Sequence, residues 1–274
     1  MKNAFLFLFI SAFCFSQKQI TFIDSITKSP IGYASIWKEN QIYKTTDSLG
    51  VLNIENDLLD KTFKINALGY KEKVFNIVSN EVSLSPETTL LNEVKVYKRK
   101  KNISKKIGNL KRSGVHFCTQ YDAKESRFAR YFPNKHNEPV FLDKVKLHTS
   151  TTTKNRIFSV LFYSVNETTG EPDKVLNTET IICKPKKGNT LNTIDISDMN
   201  IVIPNNGIFV VIEVLLLEQN KNYDKKSNHP LAFMYEPCFN ANSVSEFKDS
   251  WYFKDNLWQK SIRLSYNLAI EISN

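Results

Sequence analysis

Residues 208–217 read IFVVIEVLLL and residues 156–165 read RIFSVLFYSV. Both are rich in β-branched and aromatic side chains and apolar at odd and even positions alike. A strand with one wet face alternates; a strand covered on both faces has this unbroken composition. Turn residues punctuate the chain around them, as Pro204-Asn205-Asn206-Gly207 and Thr169-Gly170-Glu171-Pro172. Further out, Ile262, Leu264, Tyr266, Leu268, Ile270 and Ile272 alternate with Arg263, Ser265, Asn267 and Glu271, one face dry and one wet. Phe63, Ile65 and Ala67 repeat the pattern near the other end. With turns also at Asp47-Ser48-Leu49-Gly50 and Lys187-Gly188-Asn189, and no long amphipathic stretch, the chain reads as all-β: many short strands forming sandwiches or barrels.

One charge run divides it. The protein has 37 basic and 28 acidic residues, a net charge of +9, and eight of the basic residues fall within residues 98–112 (KRKKNISKKIGNLKR), which hold no acid. Without those eight, 29 basic residues stand against 28 acidic ones, so the excess belongs to one segment. A run of like charge reads as a solvated tether. It would touch anionic surfaces weakly, through Lys98, Arg99, Lys100, Lys101, Lys105 and Lys106, at about 1 kcal/mol per charge near a headgroup layer. The expected organisation is a domain over residues 17–97, a basic linker over 98–112 and a larger domain over 113–274.

The first residues read as an export signal. Lys2 precedes the uncharged apolar stretch AFLFLFISAFCF at residues 4–15, with small Ser16 before polar Gln17. A membrane-spanning helix takes roughly 20 apolar residues, and this run is shorter. Glu213 interrupts the other apolar candidate, so no transmembrane segment is expected in the mature chain. Bulky Phe13 before Cys14 disfavours a lipoprotein site. Removal of residues 1–16 points to an exported protein, periplasmic or associated with an outer membrane, and argues against nucleic acid as a partner. Cys118, Cys183 and Cys238 then remain, an odd set with neither CxxC nor framework spacing. They read as small buried thiols, with at most one bridge.

The first domain carries a more specific signature. Residues 20–24 (ITFID), 30–36 (PIGYASI), 45–54 (TTDSLGVLNI) and 63–70 (FKINALGY) occur in order. This resembles the carboxypeptidase-regulatory-like domain, a transthyretin-like Greek-key sandwich found in secreted and outer-membrane proteins of Bacteroidetes. The resemblance implies an accessory module without catalytic residues of its own. Residues 90–96 read as the last strand of the sandwich, with strand addition to a partner as the alternative. Residues 113–274 resemble, more loosely, the β-sandwich that accompanies this module in Bacteroidetes envelope proteins, which implies a jelly-roll-like fold and no activity.

Motifs that would carry chemistry are missing from the sequence. There is no GxGxxG, no phosphate-binding loop, no GxSxG and no HExxH, and His116, His136, His148 and His229 are scattered. No cofactor, metal or catalytic residue is therefore assigned. Two features stand above this background as candidate binding residues. Glu213 shares a strand face with Phe209, Val211, Leu215 and Leu217, where a carboxylate needs a partner. The partner is an arginine such as Arg156, Arg130 or Arg127 if the role is structural, and a second acid if Glu213 is catalytic. Trp251, Tyr252 and Trp258 form an aromatic hairpin with Asp255-Asn256 at its turn, which reads as core packing or as a sugar-stacking surface. The expected function is a non-enzymatic binding or accessory role toward an envelope protein or glycan; a hydrolase centred on Glu213 and a structural spacer are its rivals.

Intact-mass measurement on envelope-derived protein should give a chain beginning at Gln17 with no lipid. A mass including residues 1–13, or an acylated Cys14, would overturn the lipid-free start at Gln17.

Overall fold

The computed structural model describes residues 18–87, 99–100, 104–112, 115–120, 126–223, 232–246 and 248–274. The expected signal peptide, the expected strand at 90–96, Lys98, Lys101 and His229 lie outside them.

The first seven strands are β1 (Lys18–Asp24), β2 (Ser35–Lys38), β3 (Gln41–Thr45), β4 (Val51–Ile54), β5 (Thr62–Asn66), β6 (Lys73–Asn76) and β7 (Glu81–Leu84). They form a three-stranded sheet, β4-β1-β7, with β7 parallel to β1, facing a four-stranded sheet, β3-β2-β5-β6. Alternation along each strand sends Ile20, Phe22, Leu52, Ile54 and Leu84 from one sheet and Ile36, Phe63, Ile65 and Phe75 from the other into a shared core. Gly50 makes the turn into β4 at φ +69°, and a Cβ there would lie 2.6 Å from the Phe22 carbonyl oxygen.

The second unit begins with β8 (Ser104–Gly108), β9 (Val115–Gln120), β10 (Arg127–Phe132), β11 (Phe141–Thr151) and β12 (Phe158–Val165). It continues with β13 (Pro172–Val175), β14 (Ile181–Cys183), β15 (Gly188–Asp195), β16 (Ile208–Val214) and β17 (Lys221–Tyr223). It ends with β18 (Phe233–Ser243), β19 (Ser250–Lys254), β20 (Leu257–Lys260), β21 (Leu264–Tyr266) and β22 (Leu268–Ser273). Among the described residues these form a seven-stranded sheet with the path β13-β12-β16-β10-β19-β20 and an eight-stranded sheet with the path β17-β18-β11-β22-β8. Between them lies the largest core, including Phe158, Phe162, Val210 and Ile212 from one sheet and Val145, Phe239, Leu268 and Ile270 from the other. The protein is all-β, with short 3₁₀ turns at Asn56–Leu58, Ser197–Met199 and Glu218–Asn220.

The two sandwiches stack. The four-stranded sheet of the first covers the outer face of the seven-stranded sheet of the second, so four β layers follow one another. Leu68 packs on the cluster of Ala129, Leu161, Tyr163, Phe209, Val211 and Trp251, and Tyr33 packs on Ile157, Leu215 and Leu217. All seven residues of β16 are buried, and the second cover explains why: one face meets the eight-stranded sheet and the other meets the first domain.

Four expectations need correction. Within the basic run, Ser104–Gly108 is strand rather than tether: it pairs antiparallel with β22, Ile107 opposite Ile270. A single isoleucine and a backbone ladder anchor it, while exposed Lys105 and Lys106 suit an edge strand that must not recruit another chain. Nor is Arg99 a free cation. It donates to Asp143 at 2.6 Å, to the Ser197 carbonyl at 2.8 Å and to Asn200 at 3.2 Å, above the Phe141 ring. Lys100 pairs with Glu138 at 3.1 Å. Cys118 and Cys238 form a disulfide between neighbouring strands β9 and β18, leaving Cys183 as the buried thiol. Sequence spacing concealed the bridge because 120 residues separate its ends. The alternating stretch 262–272 is also two strands. It breaks at Asn267, whose backbone N–H donates to Asn240 O and whose side chain donates to Lys111 O at 2.8 Å.

A loop of that length constrains the unfolded chain strongly. Replacing both Cys118 and Cys238 by Ala should lower the unfolding free energy in urea by up to about 5 kcal/mol on chain-entropy grounds. An unchanged midpoint would show that the bridge contributes nothing.

Candidate functional site at the seam between the sandwiches

Cross-strand register sets the site. Ser159, Glu213, Arg127, Phe253 and Trp258 stand opposite one another across β12, β16, β10, β19 and β20. Directly opposed residues share a face, and this row faces the first domain. There the row Thr45, Ser35 and Asn66 crosses β3, β2 and β5. Glu213 sits where the two rows meet. One carboxylate oxygen accepts from Arg127 Nε at 2.8 Å and from Ser35 Oγ at 3.3 Å; the other accepts from Ser159 Oγ at 2.9 Å. Of the three arginines considered from sequence, Arg127 is the partner. Burial alone would weaken its charge, but Glu213 and Tyr163 beside it carry its pKa above the ordinary arginine value.

The other two arginines satisfy different acceptors. Arg130 donates to the carbonyls of Tyr266 at 2.7 Å and Leu268 at 3.1 Å. Arg156 pairs at 3.1 Å with Glu236, which also accepts from Thr152 and Asn222, and donates to the Gln219 carbonyl. Glu236 went unremarked in the sequence. Its signal was available, because an acid between Tyr235 and the apolar run ending at Phe239 faces the same desolvation cost as Glu213.

The aromatic hairpin forms as expected, with Asp255 and Asn256 both at positive φ in its two-residue turn and Phe253 opposite Trp258. Trp251 is buried, edge-on to Phe209. Trp258 lies edge-on to Tyr163 at 5.9 Å and to Phe253 at 5.1 Å, reaching across the sheet over small Ala129 and Val211. The Tyr252 hydroxyl donates to Gln259 Oε1 at 2.9 Å. Trp251 and Glu213 are thus built into the seam, while Tyr252 and Trp258 remain half-buried.

Where the layers splay, they leave a cleft of about 310 Å³. The first domain lines it with Trp37, Lys64, Asn66 and Glu72, and the second with Arg127, Phe253 and Asn256. Trp37 and Phe253 meet edge to face at 6.0 Å. Lys64 pairs with Glu72 at 3.1 Å and lies over the Trp37 ring. At the rim two tight hairpin turns touch, Asn256 Nδ2 donating to Asn40 Oδ1 at 3.1 Å. Sequence reasoning missed Trp37, Lys64, Asn66 and Glu72, which carry no motif and lie far along the chain from the other half of the cleft; it read Arg127 as a possible partner of Glu213 and Asn256 as a turn residue, neither as cleft lining. Among the described residues no group of three His, Cys, Asp or Glu side chains has metal-binding geometry.

Glu213→Gln should lower the unfolding free energy by about 3 kcal/mol, since it leaves the Arg127 charge uncompensated in a buried seam. Ser35→Ala, which removes one neutral donor, should cost about 1 kcal/mol. Denaturant titration of both variants checks the order. A Glu213→Gln protein as stable as the parent would refute the structural role of the pair.

No family model matches this chain, and no curated protein matches it. Among solved structures, the cysteine protease and lectin-like domains of Cwp84, a surface layer associated protein of Clostridium difficile, overlay on 88% of this chain at 12% identity and TM-score 0.40. A second structure of clostridial Cwp84, after propeptide cleavage, overlays on 78% at 9% identity and TM-score 0.44. The infectious bursal disease virus Gx strain structure overlays on 88% at 8% identity and TM-score 0.28. This chain spans 46%, 51% and 59% of those chains, about half their length. Overlays this loose carry nothing about ligand or activity.

Proposed function

We propose that this protein is an exported, non-enzymatic envelope protein that holds two sandwiches as one body and presents the cleft between them to a cell-surface glycan. The cleft carries the reading: it exists only because both domains contribute side chains, and its lining mixes two aromatic edges with amides and an ion pair. That mixture of apolar surface and a few oriented polar groups is what a small-ligand site requires. The first domain's resemblance to accessory modules of envelope proteins supports the location, and so does a disulfide, which persists in oxidising compartments.

The hydrolase alternative has less to build on. Retaining and inverting glycosidases set two carboxyl groups across one bond. Glu213 is held by an arginine and two serines beneath the seam, and the acid lining the cleft, Glu72, is paired with Lys64. A soluble panel of envelope polysaccharides should therefore bind the full chain without release of reducing ends. Release that Glu213→Gln abolishes would replace this reading with the hydrolase.

A further inference from the structure

Resting on that reading, we infer that the cleft selects a sugar bearing a carboxylate, a uronic acid residue, with Arg127 as the group that recognises the charge. Arg127 is anchored through its Nε to buried Glu213, which fixes the plane of the guanidinium. Among the described residues no acceptor bonds its two terminal nitrogens; the side chain is 13% exposed, and the residue lines the cleft. A guanidinium held by one edge presents the other as a two-pronged donor, the geometry that matches a carboxylate. The remaining charges of the lining cancel: Lys64 is paired with Glu72, and Glu213 offsets Arg127 only on its far side. The cleft thus presents one oriented cationic fork within an otherwise neutral polar lining.

The rest of the lining suits a sugar ring. Asn66 and Asn256 offer amide donors and acceptors for hydroxyls, and the half-buried ring of Phe253 offers apolar surface for C–H groups, with buried Trp37 behind it. An extended peptide is the poorer fit. Strands β2, β5, β10 and β19, which carry Trp37, Lys64, Asn66, Arg127 and Phe253, are each paired on both sides, so their backbones have no edge for strand addition.

Calorimetry of the full chain with trigalacturonate, its methyl ester and neutral galactotriose tests this. The methyl ester keeps the ring and removes the charge. Trigalacturonate should bind at least tenfold more tightly than either neutral probe. Arg127→Lys, which keeps the charge but loses the fork, should erase that preference. Because Arg127 also supports the fold, Asn66→Trp provides a second test: it fills the cleft from an exposed position and should abolish binding while the melting temperature holds. Equal affinity for the three probes overturns the inference while the glycan-binding cleft stands; binding that Asn66→Trp leaves intact removes the cleft as the site and overturns both. Failure of trigalacturonate to bind while a neutral polysaccharide from the panel binds overturns the inference alone. If no saccharide binds at all, the glycan-binding function falls with it.

Discussion

The Glu213–Arg127 pair is the contact on which the arrangement of this molecule turns. It joins neighbouring strands of one sheet and, through Ser35, reaches the sheet of the other domain. Dewatering two charges costs several kcal/mol per ion, and their attraction repays that only when the remaining hydrogen-bonding capacity is met. Here Ser159 and Ser35 satisfy the carboxylate from two layers. The pair makes correct stacking of the domains a condition of its own satisfaction. A seam of apolar side chains alone would tolerate sliding of one sheet over the other; a carboxylate that needs Ser35 does not.

The backbone reinforces this alignment. Leu216 N–H donates to Thr45 Oγ1 at 2.9 Å, and Thr45 N–H donates to the Leu216 carbonyl at 3.3 Å, just past the end of β16. Together with the contact between Asn40 and Asn256, polar links run from Leu216, by way of Glu213, to the hairpin rim. The apolar contacts of Leu68 and Tyr33 fill the space between them. The cleft follows from the same geometry. Close contact at Ser35 and at the Trp37–Phe253 pair leaves an opening beside them, bounded by Lys64, Asn66 and Glu72.

Much of this was legible in the sequence, and the failures have physical causes. Unbroken apolar runs at 156–165 and 208–217 announced strands covered on both faces, but composition cannot say whether the second cover is another sheet of the same sandwich or a separate domain. The need of Glu213 for an arginine was readable from alternation. Choosing Arg127 required the register of β10 against β16, a long-range property. The basic run misled because charge density ordinarily marks solvated chain, whereas an edge strand tolerates lysines on its outward side and takes its stability from the ladder to β22. The Cys118–Cys238 bridge and the cleft were hidden alike, since both join segments that meet only in the folded chain.

The second buried pair sets the seam apart from burial of charge in general. Arg156 and Glu236 are as deeply buried as Arg127 and Glu213, but Arg156, Thr152 and Asn222, which bond Glu236, all belong to the second domain. That pair ties the β11–β12 loop to β18 and the turn at Gln219, and it lines no opening described here. Arg127, by contrast, is tied through its Nε to Glu213 in the interior and also lines the cleft. A charge anchored in that way is held at a set angle with little rotamer freedom left to lose on binding, so a ligand meets a donor already oriented. The same anchoring makes the cation sensitive to domain alignment: if the Ser35 contact to Glu213 is lost, the anchor and the cleft wall shift together. Recognition at this site is therefore a property of the stacked pair of domains and would not survive in either sandwich alone.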